Sequence, residues 1–320
     1  MQEEINRPIF VVGSPRSGTS ILTWCLGQHP NIFPVPESNW LGQFAINVQV
    51  SYEIGSARAD RSILSGMDIE RDEFFASFGR SINKLILAHR NDLERRRKMT
   101  HLPPDLKRRW ADGTPEYSHH ICGLRKLFPE ALFVHIVRDV TSVVRSMLNF
   151  YRISGFQLVA SEQEAYEYWL RTVSSCLDAE RAYGPRVVHR FLYSDLIANP
   201  EPTLRAILDF LGEPYAADCL SPLQKRINTS NVPADFQLND AAADQDLVTK
   251  AKRLSTELEQ SSEGSEISHA TAEKMEARFN QQVQYVARTN NEYQKTRQII
   301  SELDKKPPEA NPETVREETI

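Results

Sequence analysis

The chain has 320 residues, of which 40% are hydrophobic, and its formal net charge is −5. This length is enough for one sizeable α/β core with an extension, or for two small domains. The acidic balance argues against a nucleic-acid-binding protein, whose domain is normally basic, although a local basic pocket for phosphate needs only a few donors.

The cysteines and the first residues set expectations for metal content and location. The four cysteines are widely spaced and form no CxxC pair, which predicts neither a zinc site nor a disulfide framework and suits a reducing compartment. No apolar run is long enough to span a membrane, and residues 1–7 lack the basic-then-apolar order of a signal peptide. We therefore expect a cytoplasmic protein with no membrane span and no metal site.

The N-terminal part of the sequence predicts a buried strand followed by a helix. Pro8–Val12 is a short β-branched and aromatic run that ends at Gly13, as a buried strand does. Ile21–Leu26 continues as a helix, which residues 29–31 break. Residues 43–98 have a helical but irregular pattern.

Strands and helices alternate further along the chain. The predicted strands cover Leu132–Val137 and Val187–Leu192, and the predicted helices cover Val140–Leu148, Gln163–Tyr183 and Thr203–Leu211. Gly212 follows the last of these helices as a C-terminal cap residue. This alternation predicts the α/β class, with a parallel sheet that helices cover on both faces.

The composition changes near residue 236, which predicts three parts: a main domain over 1–235, a helical extension over 236–304 and a disordered tail over 305–320. Apolar residues recur in the extension at heptad-like spacing, in the two sets Leu247, Ala251, Leu254, Leu258 and Phe279, Val286, Tyr293, Ile300. Polar residues interrupt the second set, so it is only half of a coiled-coil seam. Two interpretations stay open: docking on the protein's own surface, or pairing between subunits of a homo-oligomer.

The segment between the first strand and the first helix has the composition of an anion-binding loop. A glycine-containing turn there exposes consecutive backbone N–H groups, and the helix N-terminus adds the positive end of its dipole. Gly13, Gly18 and Ser20 fit the nucleotide-triphosphate loop G-x-x-x-x-G-K-[ST]. Thr19 stands in place of the lysine, however, and Arg16 supplies a cation earlier in the loop. The missing lysine argues against a P-loop kinase.

A second anion site is predicted at the end of the strand Leu132–Val137. Arg138 follows this strand directly, and a cation at the carboxyl end of a strand faces the ligand crevice of an open α/β sheet. Ser146 lies two helical turns further on, where its hydroxyl can reach the same anion.

The segment Phe10–Ser20 resembles the 5′-phosphosulfate loop of sulfotransferases that use 3′-phosphoadenosine 5′-phosphosulfate (PAPS) as co-substrate. Its Pro-Arg-Ser-Gly-Thr version is similar to that of bacterial members and of the tyrosylprotein sulfotransferases. The resemblance implies a P-loop-NTPase-like parallel sheet flanked by helices. It also implies nucleotide contacts at these positions: Ser14, Pro15, Arg16, Ser17, Gly18, Thr19 and Ser20 at the 5′-phosphosulfate, Arg138 and Ser146 at the 3′-phosphate, Tyr193 beside the nucleotide, and Lys225 and Arg226 in a loop that closes over it. Tyr193 also fits a buried aromatic residue with a satisfied hydroxyl.

The general base is the least determined part of the expected site. Glu37 matches the place where related sulfotransferases carry a glutamate base, so the resemblance implies catalysis by Glu37 together with Arg16. Three histidines, His101, His119 and His120, stay open as alternatives.

The site also departs from the family's pattern at one position. Gly113 stands where many bacterial relatives carry a lysine, so one expected cation is missing. Arg16 then supports the transferred group alone, or with help from Lys225 or Arg226.

The resemblance implies in-line transfer of a sulfuryl group from PAPS to a hydroxyl acceptor such as a carbohydrate, a glycolipid or a small alcohol, and the acidic charge balance predicts no nucleic-acid partner. Two alternatives remain. One is a P-loop kinase acting on a small molecule. The other is a catalytically inactive scaffold with the sulfotransferase fold, which the departure at Gly113 keeps open.

Overall fold

The computed structural model describes residues 7–58, 61–96, 108–224, 232–239, 243–261 and 266–304. The strands in these ranges are β1 (Ile9–Val12), β2 (Ile32–Pro34), β3 (Arg109–Asp112), β4 (Leu132–Val137) and β5 (Val188–Leu192). They form one parallel sheet in the order β2-β3-β1-β4-β5. The predicted α/β class, with a P-loop-like parallel sheet between helices, is therefore confirmed.

The helices connect and cover these strands. Their bounds are α1 (Thr19–Leu26), α2 (Leu41–Ser56), α3 (Ile63–Gly66), α4 (Arg71–Arg96), α5 (Ile121–Leu127), α6 (Val140–Leu148), α7 (Tyr151–Ser154), α8 (Glu162–Tyr183), α9 (Tyr193–Ala198), α10 (Pro200–Leu211), α11 (Gln245–Gln260) and α12 (His269–Asp304). Short 3-10 helices cover Pro115–His119 and Ala217–Gln224.

Alternation along the central strand divides the core into two faces. Successive side chains of a strand point to opposite sides of the sheet. Phe10 and Val12 accordingly join the core under α2, α4 and α5, whereas Ile9 and Val11 join the core under α1 and α10. All four side chains are fully buried, so β1 and the loop that follows it stand on a rigid support.

Two strands were not predicted from the sequence, and β3 shows why. It carries Arg109 and Asp112, which are atypical of a buried strand, yet both are buried. Arg109 pairs with Glu213 at 2.8 Å and donates hydrogen bonds to the main-chain carbonyls of Arg7 and Leu211, both at 2.7 Å. These partners are distant in sequence, so the local pattern does not reveal them.

The C-terminal helices pack on the main domain in the described part of the chain. Val248, Ala251 and Leu258 of α11 are buried in the core beside α6 and α8. Phe279 of α12 is buried where its ring meets Gly123 of α5, since a Cβ on Gly123 would lie 2.8 Å from that ring. The end of α12, from residue 288 through 299, is exposed at every position.

No helix among the described residues combines the length and the apolar character needed to cross a membrane.

Candidate active site

Two glycines shape the loop between β1 and α1. Gly13 has a φ of 149°, and a Cβ there would lie 2.4 Å from the carbonyl oxygen of Ile136. Gly18 has a φ of 106°, and a Cβ there would lie 2.5 Å from the ring of Tyr193. Larger residues would therefore collide at both places, and both conformations disfavour side chains. The loop can run this close to β4 and α9 only because glycine stands at both positions.

The loop ends at the uncapped N-terminus of α1. Gly18 caps α1 in a left-handed conformation, and no side chain caps the N-terminus of this helix. Arg16 is also left-handed, with a φ of 69°, which is uncommon for a residue other than glycine. The Ser17 hydroxyl is buried and has no hydrogen-bond partner among the described residues. A buried hydroxyl beside an uncapped helix N-terminus suits an anionic ligand.

Arg16 and Arg138 join the loop to the end of β4. The Nε of Arg16 donates to Ser146 Oγ at 3.2 Å, and its guanidinium lies 4.6 Å from the centre of the Phe150 ring. Arg138 donates to the main-chain carbonyl of Arg16 at 3.1 Å and lies 4.6 Å from the centre of the Tyr193 ring. The two predicted anion sites are therefore neighbours.

Burial lowers the pKa of Arg16, and the nearby charge of Arg138 lowers it further, while Glu37 opposes both effects. Two cations held this close to one loop favour an anionic ligand, because a ligand of negative charge relieves their mutual repulsion.

The remaining loop residues predicted to contact the nucleotide follow one another around this turn. Ser14, Pro15 and Thr19 are buried, and Ser20 is half-buried. The amide of Ser17 donates to the carbonyl of Ser14 at 3.1 Å, which closes the turn. Lys225 and Arg226 lie outside the described residues.

The structure places Glu37 beside the loop. Ser20 Oγ donates to Glu37 Oε1 at 3.1 Å. Glu37 is an exposed residue, yet partial burial raises the pKa of its carboxyl. The Ser20 hydrogen bond and Arg16 oppose this shift, and Glu116 adds to it. A raised pKa makes this carboxylate a better proton acceptor at a given distance from the substrate.

Two of the three candidate histidines lie among the described residues, and both contact neighbouring helices. His119 lies 3.1 Å from Ser175 Oγ of α8, and burial, Arg171 and His120 together lower its pKa to about 4. His120 packs against Gly42 of α2, and burial lowers its pKa as well. Both therefore face neighbouring helices. His101 lies outside the described residues.

Gly113 has no room for a side chain. A Cβ there would lie 2.2 Å from Thr23 Oγ1 and 3.2 Å from the carbonyl oxygen of Thr19, both in α1. Thr23 is held in this position because its hydroxyl donates to the same carbonyl at 2.9 Å. The absent lysine is thus matched by a threonine that fills its space, and Arg138 contacts the loop beside the loop's own Arg16.

Two contacts of the loop were not predicted. Ser118 Oγ accepts a hydrogen bond from the Gly13 amide at 2.9 Å and fixes the start of the turn. Phe150 lies against Arg16, as described above. Neither residue stands in a segment with a recognisable pattern, so only its place in the fold reveals it.

The chain is similar in sequence to known sulfotransferases. A profile described as the Sulfotransferase family matches residues 8–217. Protein-tyrosine sulfotransferase 1 of Danio rerio is 26% identical over 212 residues, which are 65% of this chain and 53% of the relative. Protein-tyrosine sulfotransferase A of Caenorhabditis elegans is 24% identical over 229 residues, which are 70% of this chain and 55% of the relative. The chain thus spans about half the length of these two relatives.

The chain is also similar to a solved structure. The sulfotransferase domain from the curacin biosynthetic pathway is 18% identical and covers 81% of this chain and 99% of that domain, with a TM-score of 0.48. The family match, which runs from β1 through α10, extends over more than half of the chain. The chain therefore belongs to the sulfotransferase family.

Proposed function

We propose that the chain transfers a sulfuryl group from PAPS to a hydroxyl acceptor, with Glu37 as the general base. The observation that carries the proposal is the meeting of the two anion sites at Arg16. The main chain of Arg16 is part of the loop that carries the buried Ser17 hydroxyl, and the side chain of Arg16 donates to Ser146 Oγ. A donor with two separated phosphate groups suits such a pair of sites better than a triphosphate does, and Thr19 stands where a kinase needs lysine.

The proposed roles follow from these contacts. The loop amides, the Ser17 hydroxyl and Arg16 would hold the 5′-phosphosulfate and stabilise charge on the leaving phosphate. Arg138 and Ser146 would hold the 3′-phosphate. Tyr193 would contribute its ring face, which already packs against Gly18 and Arg138.

In the proposed reaction, the bond between sulfur and the phosphate oxygen breaks as a bond forms between sulfur and the acceptor oxygen. The acceptor's hydroxyl proton passes to the Glu37 carboxylate, and 3′,5′-adenosine bisphosphate (PAP) leaves with the negative charge. Glu37 is suited to this role because Ser20, the last residue of the anion-binding segment, holds its carboxylate.

The acceptor would meet an aromatic surface near this base. Trp40 follows Glu37 by three residues, is 43% exposed, and stacks edge-to-face on Phe44 with ring centres 5.6 Å apart. An exposed indole ring suits the apolar face of a sugar or the body of a small alcohol. A carbohydrate, a glycolipid and a small alcohol all stay within the proposal, as do a cytoplasmic location and homo-oligomerisation through the C-terminal helices.

Titration calorimetry with PAP and with ATP tests the proposal. We expect PAP to bind tightly and ATP to show no comparable heat. Arg138→Ala should weaken PAP binding at least about tenfold, since it removes a charge-assisted contact. Arg205→Ala is the matched control, because Arg205 is an exposed arginine of α10 paired with Glu201. A preference for ATP would instead indicate a kinase, and no binding of either nucleotide would indicate an inactive scaffold.

A further inference from the structure

Asp112 is a buried carboxylate at the end of β3, only 1% exposed, and in the described part of the chain no lysine or arginine forms an ion pair with it. Its partners are instead neutral donors. The amide and hydroxyl of Thr114 donate to Oδ1 at 2.9 and 2.6 Å, and Ser38 Oγ donates to Oδ2 at 2.7 Å. A buried charge is costly unless several hydrogen bonds satisfy it, so this arrangement calls for a reason.

The Ser38 contact ties Asp112 to the segment that carries Glu37. The Ser38 amide donates to Thr114 Oγ1 at 2.8 Å, and its hydroxyl also meets the Tyr117 hydroxyl, which accepts from the Leu41 amide at 3.2 Å. The main chain immediately after Glu37 is therefore anchored to β3 and to the 3-10 helix Pro115–His119. From the other side, Ser20 holds the Glu37 carboxylate itself.

We propose that Asp112 is a positioning residue, which acts through Ser38 to hold the Glu37 carboxylate beside the loop. This inference rests on the proposed function, since it assigns Asp112 to the base of that reaction. It also explains why a buried carboxylate stands there. An ionised carboxylate accepts from Ser38 and Thr114 together, whereas an amide would turn one N–H donor toward these donors.

The charges around Asp112 give the proposal a pH signature. Burial, with a smaller contribution from the Glu37 carboxylate, raises the pKa of Asp112 to about 6 against the hydrogen bonds from Thr114 and Ser38. Tyr117 stays neutral because burial and Asp112 raise its pKa to about 12. Glu37 in turn faces Arg16 and Glu116. Protonation of Asp112 turns one of its oxygens from an acceptor into a donor, so its hold on Ser38 should weaken and kcat should fall as the pH drops through about 6.

Asp112→Asn and Ser38→Ala test the proposal with PAPS and a hydroxyl acceptor. We expect both to lower kcat about 10- to 100-fold, as a misplaced base does, while PAP affinity stays unchanged. Asp112→Asn should still fold but with a lower free energy of unfolding, because its amide turns a donor toward buried donors. In Asp112→Asn the fall of kcat through about pH 6 should disappear, because the amide does not titrate, whereas a purely structural residue would leave the pH profile as in the wild type. Ser38→Thr keeps the hydroxyl and should restore most of the activity.

Asp178→Asn is the matched control, because this buried carboxylate of α8 pairs with Arg278 and lies outside the site. It should leave kcat unchanged. Wild-type kcat and an unmoved acid limb in Asp112→Asn would overturn the inference, and so would a loss of PAP affinity in step with kcat. Full activity in Glu37→Gln would instead overturn the base assignment in the proposed function, so the two failures can be told apart.

Discussion

At the scale of single residues, Gly18 shapes the loop and Glu37 is the proposed base. Gly18 lets the loop approach α9, and Glu37 meets the loop from the other side through Ser20. A carboxylate base works only when ionised, and burial raises the pKa of Glu37. The acid limb of catalysis should therefore lie above the ordinary range of an exposed glutamate, with activity rising as pH passes this pKa.

Gly18→Ala should weaken PAP binding at least about tenfold, because the new methyl group collides with the Tyr193 ring and distorts the loop. The left-handed conformation alone costs about 1–2 kcal/mol of stability for a residue with a Cβ. Gly155→Ala isolates this cost, since Gly155 has a φ of 78° and nothing within 4 Å of the added methyl group. Calorimetry with PAP measures both variants. Equal PAP affinities in the two would show that the contact between Gly18 and Tyr193 does not shape the nucleotide site.

At the scale of elements, patterns that are complete within a segment are predicted well. The bounds of β4 and α6 agree with the prediction residue by residue, since apolar runs and helical spacing are local. The loop before α1 was predicted for the same reason. The link between Asp112 and Ser38 joins residues 74 positions apart, and β3 depends on Glu213 to satisfy Arg109, so neither leaves a local pattern.

The helix α12 changes character along its length, although Phe279 and Tyr293 hold equivalent heptad positions. Phe279 is buried against α5. One turn earlier in α12, Glu276 lies 2.8 Å from the ammonium group of Lys126 in α5. Tyr293 is 58% exposed. Docking on the protein's own surface therefore explains why the first half of α12 is apolar. For the second half, only the heptad spacing indicates a partner.

Phe279→Ala should lower the free energy of unfolding by about 3–5 kcal/mol, as large-to-small changes of a buried aromatic residue do. Tyr293→Ala should change it by less than about 0.5 kcal/mol. Urea denaturation followed by circular dichroism measures both. Similar losses in the two variants would contradict docking confined to the first half of α12, and a loss in Tyr293→Ala that depends on protein concentration would indicate pairing between subunits.

At the scale of the whole molecule, the strand order brings the site together. Because β1 lies between β3 and β4, the carboxyl ends of these three strands are neighbours. They carry the loop with Arg16, the Asp112 anchor, and Arg138. No two of these are neighbours in sequence, and the parallel sheet alone makes them neighbours in space.

Sulfuryl transfer from PAPS labelled with radioactive sulfur tests the central claim most directly. A panel of saccharides, glycolipids and small alcohols should include at least one acceptor that the wild-type chain labels. Glu37→Gln should bind PAP as the wild type does and transfer label at least about 100-fold more slowly, since it cannot take the acceptor's proton. Equal transfer by Glu37→Gln, or transfer of phosphate from labelled ATP with none from PAPS, would contradict the account.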